Sequence, residues 1–308
     1  MGLSRKDLLK IAGDDLPSAT DIEDLYKDKD TFTLNGRELP IARMTAADEA
    51  TWDNPSDFSE LESSPHWVAG RPAVTPSDPR IDHTGIQTRV RDQIDRLTCA
   101  SFATLAAMEA NLKAQGVVLD LSEQHVNFVV DGDQCSDVVE ILHVAEALLR
   151  EPICTEGFYP YEDRFKVTLD CLQTPPANAI SEAKYSIDSF REIPNLGLTG
   201  PSIANTGYLE SLLFQGYDIV FETEAAYDPT GPGIQDVRRD PLGPGVFRTG
   251  KKHAMVIVGY DRTGAKPFFI CKNSYGSSIG HGGYFFLTYR YVRTYAIRGV
   301  IISRVRVL

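Results

Sequence analysis

The sequence predicts an α+β fold, because amphipathic helical segments come first along the chain and strand-like segments follow. Residues 99–115 place apolar side chains on one helical stripe, and Gly116 follows as a stop signal. Further helices are predicted at 122–129, 136–150 and 206–215. Segments rich in β-branched and aromatic residues predict strands at 218–223, 254–260, 267–272 and 284–289.

The composition is that of a globular chain, with 308 residues, 42% hydrophobic and 24% charged. A net charge of −12 repels a phosphate backbone, so nucleic acid is not an expected partner. No apolar run approaches the ~18 residues of a membrane span, and the opening residues MGLSRKDLLK lack the apolar stretch of a secretory signal. We therefore expect a cytoplasmic protein without a membrane span.

The five cysteines form no C-x-x-C pair and no compact cluster with histidine. This spacing predicts neither a metal site nor a bound cofactor. Reduced thiols are the default in a chain without an export signal, and the odd number leaves at least one thiol free. A cysteine in this chain is therefore expected to act chemically or to fill the core.

The chain divides into three segments by composition. Residues 1–80 hold 16 acidic and 9 basic residues, with short helices predicted at 4–12 and 18–27. A proline-rich connector at 65–79 places the boundary near Pro79. Residues 81–190 then carry most of the helical patterns, and residues 191–308 carry the strands.

Cys99 is the strongest candidate nucleophile. It follows Thr98, a plausible N-cap, so the sequence places it in the first turn of a helix. Free N–H groups and the helix dipole are expected to lower a thiol's pKa there. Gln93 lies six residues earlier on a loop that can fold back. Its side-chain amide and the Cys99 N–H would then form an oxyanion hole.

A thiol nucleophile also needs a base and a group that orients the base. His253 stands at the head of the predicted strand 254–260, and Asn273 ends the predicted strand 267–272. A β-hairpin would bring the two together. A helix-cap thiol, an edge-strand histidine and a turn asparagine are ordinary alternatives, and the spacing alone leaves them open.

Six blocks of sequence decide between these interpretations. In chain order they lie at 82–93, 99–102, 121–124 (LSEQ), 159–162 (YPYE), 253–260 (HAMVIVGY), and 272–276 (KNSYG) with 283–285 (GYF). Their order and the six-residue spacing from Gln93 to Cys99 resemble the papain-like cysteine peptidase family. The resemblance covers roughly residues 80–290, and the agreement of several blocks makes it specific.

The resemblance implies a papain-like two-lobe fold, with a helical lobe carrying Cys99 and a β-rich, barrel-like lobe carrying His253 and Asn273. A peptide or protein substrate would lie extended in the cleft between the lobes. Cys99 would be the nucleophile, His253 the base and later the acid, Asn273 the orienting residue and Gln93 the oxyanion donor. Further substrate-binding residues implied by the resemblance are Ser136, Asp137, Ala254 and Tyr275.

The sequence departs from the family pattern at several positions. Ala100 and Tyr275 replace two tryptophans, and a tyrosine can still shield the Asn–His hydrogen bond from water. The segment 135–138 (CSDV) replaces a glycine-containing Cys-Asn-Gly-Gly stretch, and its Asp137 adds bulk and charge where bare backbone is expected. Arg96 and Val129 stand where the resemblance expects cysteines, which leaves Cys135 and Cys171 as unpaired halves of two family disulfides.

The predicted function is hydrolysis of peptide bonds through a thioester acyl-enzyme on Cys99, by an endopeptidase or an exopeptidase. One alternative keeps this acyl-enzyme and transfers the acyl group to an amine, as a transpeptidase or acyltransferase does. Another is a non-catalytic homologue that binds peptide, with residues 1–80 lying permanently in the cleft. The sequence leaves open whether those residues are a removable propeptide or an accessory subdomain, and it does not predict the oligomeric state.

Overall fold

The structure is a computed structural model of the chain. It describes residues 77–131, 139–162, 174–195, 201–228, 233–237 and 248–308, and the backbone of residues 31–34, 37–40 and 42–43. The helices predicted at 4–12 and 18–27 lie outside these residues, as do Ser136 and Asp137.

The predicted helices of the first half are present in the described residues. The α-helices are α1 (Cys99–Ala114), α2 (Glu123–Asp131), α3 (Ile141–Arg150), α4 (Ala177–Ser181), α5 (Thr206–Phe214) and α6 (Tyr289–Tyr295). Helix α1 ends before Gly116, whose positive φ of 86° is the left-handed conformation that stops a helix. Helix α3 begins at Ile141, later than predicted, because Glu140 has an extended backbone.

Most of the strands lie in the second half of the chain, where α5 and α6 are interspersed among them. The strands are β1 (Thr31–Leu34), β2 (Arg37–Pro40), β3 (Ala42–Arg43), β4 (Arg80–Asp82), β5 (Tyr185–Ile193), β6 (Ile219–Glu224), β7 (Ile234–Gln235), β8 (Lys251–Asp261), β9 (Phe268–Lys272), β10 (Tyr284–Thr288) and β11 (Ala296–Val307). Within the described residues, the main sheet has the open order β5-β11-β6-β8-β9-β10-β7, and β3 and β4 pair with β8. Helices with a separate sheet region confirm the predicted α+β class.

The main sheet is covered by helices on both faces, which explains its nearly continuous apolar strands. Alternate residues point to opposite faces. One face packs with α1 and α3 through Val220, Val256, Ile270 and Phe286. The other packs with α5 and α6 through Phe221, Ile257, Cys271 and Leu287. Because α1 packs on this sheet, its first residue is held close to the strands.

Strand β8 is the element that positions the candidate base. It pairs antiparallel with β6, where Thr223 is opposite His253. It also pairs antiparallel with β9, and that ladder ends at the pair Val256 and Lys272. Asn273 follows this ladder directly, so it lies close to β8, the strand that carries His253.

Two long strands, β5 and β11, and two short helices, α4 and α6, were not predicted from the sequence. Strand β5 carries charged residues among its apolar ones and pairs with β11, more than a hundred residues later. Helix α6 is a short segment between β10 and β11. Strands β1 and β2 form an antiparallel hairpin inside the acidic segment. Strand β5 also crosses position 190, and the division into 1–80, 81–190 and 191–308 stays a prediction.

Among the helices that the structure describes, none is long and apolar enough to cross a bilayer. The same part of the chain holds no group of three or more His, Cys, Asp or Glu side chains placed to bind a metal ion. The three cysteines described, Cys99, Cys154 and Cys271, are free and buried. Of these three, Cys99 is the one that begins a helix.

Candidate active site

Cys99 is the first residue of α1, as the sequence predicts. Thr98 precedes the helix but does not cap it with its side chain. Its hydroxyl instead lies 2.8 Å from the hydroxyl of Tyr161. The Cys99 side chain is 8% exposed, so the sulfur lies just under the surface of the protein.

His253 and Asn273 are in direct contact. The Nε2 atom of His253 lies 2.7 Å from the Oδ1 atom of Asn273. The same oxygen accepts a hydrogen bond from the backbone N–H of Ser274 at 2.8 Å. A backbone N–H can only donate, so Oδ1 is an acceptor and Nε2 carries the proton of the imidazole. The predicted hairpin therefore joins these two residues.

Two tyrosine rings enclose the imidazole. The ring of Tyr275 stacks on it, with centroids 4.5 Å apart and an interplanar angle of 19°. The Tyr275 hydroxyl lies 3.1 Å from Nδ1 of His253. The ring of Tyr227 lies on another side, with centroids 6.2 Å apart. His253 is 2% exposed, and both tyrosines are fully buried.

Gln93 lies on the loop before α1, and its polar groups are bonded. Its backbone N–H donates to the Ser274 carbonyl at 2.8 Å, and its Nε2 donates to the Arg96 carbonyl at 2.8 Å. Its Oε1 accepts from the Ser274 hydroxyl at 2.6 Å, and its carbonyl accepts from Tyr161 at 2.8 Å. An amide nitrogen carries two hydrogens, so one donor of Nε2 is left for another acceptor.

Burial shifts the pKa values of Cys99 and His253 in the directions that favour their neutral forms. Burial raises the pKa of the Cys99 thiol to about 11, although the backbone N–H of Ala254 lowers it in part. Burial lowers the pKa of His253 to about 4, against the opposing effect of its hydrogen bond to Asn273. The expected net lowering of the thiol pKa at the helix N-terminus is not found, because burial raises this pKa. In the described residues no hydrogen bond joins the two side chains.

The family of this chain is shown by its similarity to known proteins. Residues 75–303 match the family model of the papain family cysteine proteases. The chain belongs to the papain family of cysteine proteases. The match covers Gln93, Cys99, His253 and Asn273, and it confirms the resemblance that the sequence blocks indicate.

Curated papain-family relatives are distant in sequence. Cathepsin K of Gallus gallus is 26% identical over 228 residues, which are 72% of this chain and 60% of the relative. Chymopapain of Carica papaya is 28% identical over 208 residues, which are 65% of this chain and 51% of the relative. The chain thus spans between half and three fifths of the length of these two relatives.

Solved papain-family structures share the fold. Xylellain, a cysteine protease from Xylella fastidiosa, superposes with a TM-score of 0.59 at 20% identity, over 78% of this chain and 91% of that one. The Carica candamarcensis cysteine protease CMS1MS2, solved in complex with E-64, gives 0.54 at 22% identity, over 74% and 99%. These likenesses confirm the predicted papain-like α+β fold.

Next to Cys99, this papain-family chain carries a buried group of charges, defined here as the charge cluster of Glu140, Glu222, Lys252 and Arg298. Arg298 bonds Glu140 at 2.9 Å and lies 3.5 Å from Glu222. Lys252 lies 3.5 Å from Glu140. Glu222 also accepts from the N–H of Ile141 at 3.0 Å, at the start of α3.

The charge cluster acts electrostatically on the nucleophile. Glu222 lies opposite Ala254 in the β6–β8 ladder, and it raises the pKa of Cys99 while Lys252 lowers it. Burial raises the pKa of Glu222 itself to about 6, against the effect of Lys252 and Arg298. A buried carboxyl group with a raised pKa therefore acts on the thiol.

Arg96 makes a polar cross-link at a position where the resemblance expects a disulfide cysteine. Its guanidinium donates to Gln124 at 2.6 Å and to the Glu162 carbonyl at 3.1 Å, and it lies over the ring of Tyr161. These contacts join the loop before Cys99 to α2 and to the segment around residue 161. Hydrogen bonds replace a covalent bridge there.

The remaining predicted site residues are those assigned to substrate binding. Ala254 lies next to His253 on β8 and is 2% exposed, and Tyr275 is fully buried against the imidazole. Their roles in substrate binding stay predictions, as do those of Ser136 and Asp137.

The sequence analysis missed the charge cluster. A glutamate inside the apolar run IVFE of β6 was the available signal, because charged residues are rarely buried without a partner.

Proposed function

We propose that the chain is a cysteine peptidase that hydrolyses peptide bonds through a thioester on Cys99. His253 is the base and later the acid, Asn273 orients His253, and Gln93 donates a hydrogen bond to the oxyanion. The observation that carries this proposal is the 2.7 Å contact between His253 Nε2 and Asn273 Oδ1. That contact leaves Nδ1 as the basic nitrogen of a neutral imidazole.

Acylation begins when the Cys99 thiol gives its proton to Nδ1 of His253 and the sulfur attacks the carbonyl carbon of the scissile amide. The tetrahedral oxyanion accepts hydrogen bonds from the free N–H of Gln93 Nε2 and from the backbone N–H of Cys99. The imidazolium then donates its proton to the leaving amine, and the C–N bond breaks. A water molecule, deprotonated by His253, hydrolyses the thioester and restores the thiol.

The shifted pKa values of Cys99 and His253 affect the first proton transfer of this scheme. With the pKa of Cys99 raised to about 11 by burial and that of His253 lowered to about 4, little thiolate exists before substrate binds. Proton transfer and attack on the carbonyl are therefore coupled, so charge develops mainly in the transition state. Buried donors aimed at that charge contribute most to the rate.

The proposal is tested by peptide hydrolysis and covalent labelling. The full chain and a chain beginning at Ser77 are treated with an epoxide that alkylates thiolates, and labelling is read by intact mass. Both are also assayed on an internally quenched peptide library and on dipeptide amides, which separates endopeptidase from exopeptidase action. We expect hydrolysis and a single label on Cys99.

Cys99→Ser and Cys271→Ala form the matched pair of variants. Cys271 is a second buried thiol, but it lies in β9 within the core. Cys99→Ser is expected to lose labelling and more than ~1,000-fold in rate, since the serine hydroxyl is a far weaker nucleophile. Cys271→Ala is expected to keep both. Unchanged turnover in Cys99→Ser would refute the proposal.

Acyl transfer is distinguished by product masses. The acyl-enzyme can react with an amine as well as with water, so the assay is repeated with added glycinamide. Hydrolysis products alone are expected. An amide product that dominates in dilute amine would instead assign the chain to the transferases, and no product at all in either chain would favour a peptide-binding role.

A further inference from the structure

We propose that the Tyr275 hydroxyl is a positioning group on the catalytic base. It holds Nδ1 of His253 at rest, and this nitrogen must exchange the hydroxyl for the Cys99 thiol before it takes the thiol's proton. The inference rests on the proposed role of His253 as the base. It assigns to Tyr275 a role beyond shielding the Asn–His hydrogen bond, because an indole ring at that position has no hydroxyl to place on Nδ1.

The direction of this hydrogen bond follows from the other side of the ring. Asn273 Oδ1 accepts from Ser274 N–H, so it can only accept from His253, and the imidazole proton sits on Nε2. In a neutral ring Nδ1 then has no hydrogen and is an acceptor. The Tyr275 hydroxyl, 3.1 Å away, is therefore the donor.

The position of Tyr275 is fixed by packing. Its side chain is fully buried and its ring is nearly parallel to the imidazole, with an interplanar angle of 19°. The preceding residue, Ser274, is anchored through its hydroxyl and its carbonyl to Gln93. The hydroxyl is thus kept beside Nδ1 by the same turn that carries Asn273.

The hydroxyl competes with the thiol for one nitrogen. When the proton moves, the Sγ–H bond of Cys99 breaks, an Nδ1–H bond forms, and Tyr275 keeps its own proton but loses its acceptor. A hydrogen bond made only in the neutral state lowers the affinity of Nδ1 for a proton. Removing the hydroxyl should therefore favour the thiolate and imidazolium forms.

Other charged and titratable groups surround His253 but do not bond to its ring in the described part of the chain. Cys99 lies on α1. Lys251 and Lys252 precede His253 on β8, and Glu222 and Glu224 flank Thr223 on β6. Tyr227 and Asp228 follow β6. Glu222 and Lys252 belong to the charge cluster, and Glu224 binds Arg248 at 3.0 Å. Arg43 of β3 pairs in register with Lys251. Apart from the hydroxyl of Tyr227, which the control variant removes, these groups are retained in the variants below.

The test is the pH dependence of Cys99 alkylation by iodoacetamide in the full chain. The label is quantified on the peptide that contains Cys99, so other thiols do not contribute. The variants are Tyr275→Phe, which removes only the hydroxyl, and Tyr275→Trp, which also lacks a hydroxyl on Nδ1. Tyr227→Phe is the control, because it removes a buried hydroxyl from the other ring beside His253.

In Tyr275→Phe we expect the midpoint of the alkylation curve to fall by about half to one pH unit, the shift that one hydrogen bond supplies. Alkylation near neutral pH should then be about three- to tenfold faster. Tyr275→Trp should shift in the same direction, and Tyr227→Phe should keep the original midpoint.

An unchanged midpoint in Tyr275→Phe, a shift to higher pH, or an equal shift in Tyr227→Phe would overturn the inference. A lower melting temperature without a shifted midpoint would show a structural role only. If Tyr275→Phe does not fold, the midpoint of the alkylation curve of Tyr275→Trp provides the same test. Alkylation requires no peptide hydrolysis, so a protein that alkylates as expected but cleaves nothing would refute the proposed function and leave this inference standing.

Discussion

Gln93 and Ser274 are joined by two hydrogen bonds. The backbone N–H of Gln93 donates to the Ser274 carbonyl at 2.8 Å, and the Ser274 hydroxyl donates to Gln93 Oε1 at 2.6 Å. The first residue precedes the nucleophile helix α1, and the second follows Asn273. These bonds therefore fix Gln93, the proposed oxyanion donor, relative to Asn273, the residue proposed to orient the base.

Replacing Ser274 by alanine should slow catalysis more than it weakens binding. The variant keeps the backbone bond and the bond from Gln93 Nε2 to the Arg96 carbonyl, but it removes the bond that holds Gln93 Oε1. The amide is then less firmly oriented, so kcat should fall by about 5- to 30-fold with little change in KM. Steady-state kinetics on a quenched peptide provide the measurement. Ser202→Ala is the control, because Ser202 is also buried and hydrogen-bonded, to Ala204 at the start of α5. A rate equal to that of Ser202→Ala would argue against a positioning role for Ser274.

Strand β3 should restrict access to the site. Ala42 and Arg43 pair in register with Lys252 and Lys251, immediately before His253. A chain beginning at Ser77 lacks this strand but keeps Asp78, whose carbonyl accepts from Tyr260 at 2.9 Å. We expect epoxide labelling of Cys99 to be at least about tenfold faster in the shorter chain, because extended segments bind by strand pairing at such edges.

Ala42→Pro in the full chain tests the same contact without deleting residues. Proline lacks the N–H needed for strand pairing, so labelling should be accelerated, though by less than in the deletion. Equal labelling rates in the full, shortened and proline-substituted chains would mean that the first 76 residues leave the nucleophile accessible.

Ile94 carries backbone strain in the loop before Cys99. Its φ of 56° is in the left-handed region, which is unfavourable for a β-branched residue. Ile94→Gly should raise the free energy of unfolding by about 1 kcal/mol, the relieved strain less the extra entropy of unfolded glycine. Thermal unfolding should show a rise of about 2 °C. Ile94→Val keeps the β-branch and should show no gain, and a destabilised glycine variant would contradict the strain.

His125 should make the fold sensitive to acid. Burial lowers its pKa to about 4, and its Nδ1 accepts from the Cys154 N–H at 3.1 Å. The unfolded state has a histidine pKa near 6.5, so it binds more protons between about pH 6.5 and pH 4. The stability contributed by the neutral ring is present above this window and is lost as the pH falls through it.

His125→Asn separates this contribution from other acid effects. The asparagine Oδ1 can replace Nδ1 as the acceptor but does not titrate. Urea unfolding from about pH 7 to about pH 4.5 should therefore show a loss of stability smaller by about 2 kcal/mol than in the parent chain. If the free energy of unfolding falls equally with pH in both proteins, His125 does not titrate in this window.

The site residues that the sequence identified are those defined by local signals. Cys99 follows a candidate cap and opens an alanine-rich segment of helix length that ends at Gly116, so its place at a helix start is a local property. Pairing His253 with Asn273 required knowing that their two strands are neighbours in the sheet. The resemblance of the sequence blocks around these residues provided that information. Strands β5 and β11 were missed, because α5, strands β6 to β10 and α6 separate them in the chain and their charged residues obscure the apolar pattern.

The sequence by itself determined the α+β class, the family, and the identity of the four candidate catalytic residues. These follow from periodicity, capping and ordered motifs, which are local. Only the tertiary structure decided the burial that shifts the pKa values of Cys99 and His253, the charge cluster that acts on the thiol, and the contact of Tyr275 with Nδ1. Desolvation and hydrogen-bond direction depend on groups from distant parts of the chain, so no local pattern encodes them.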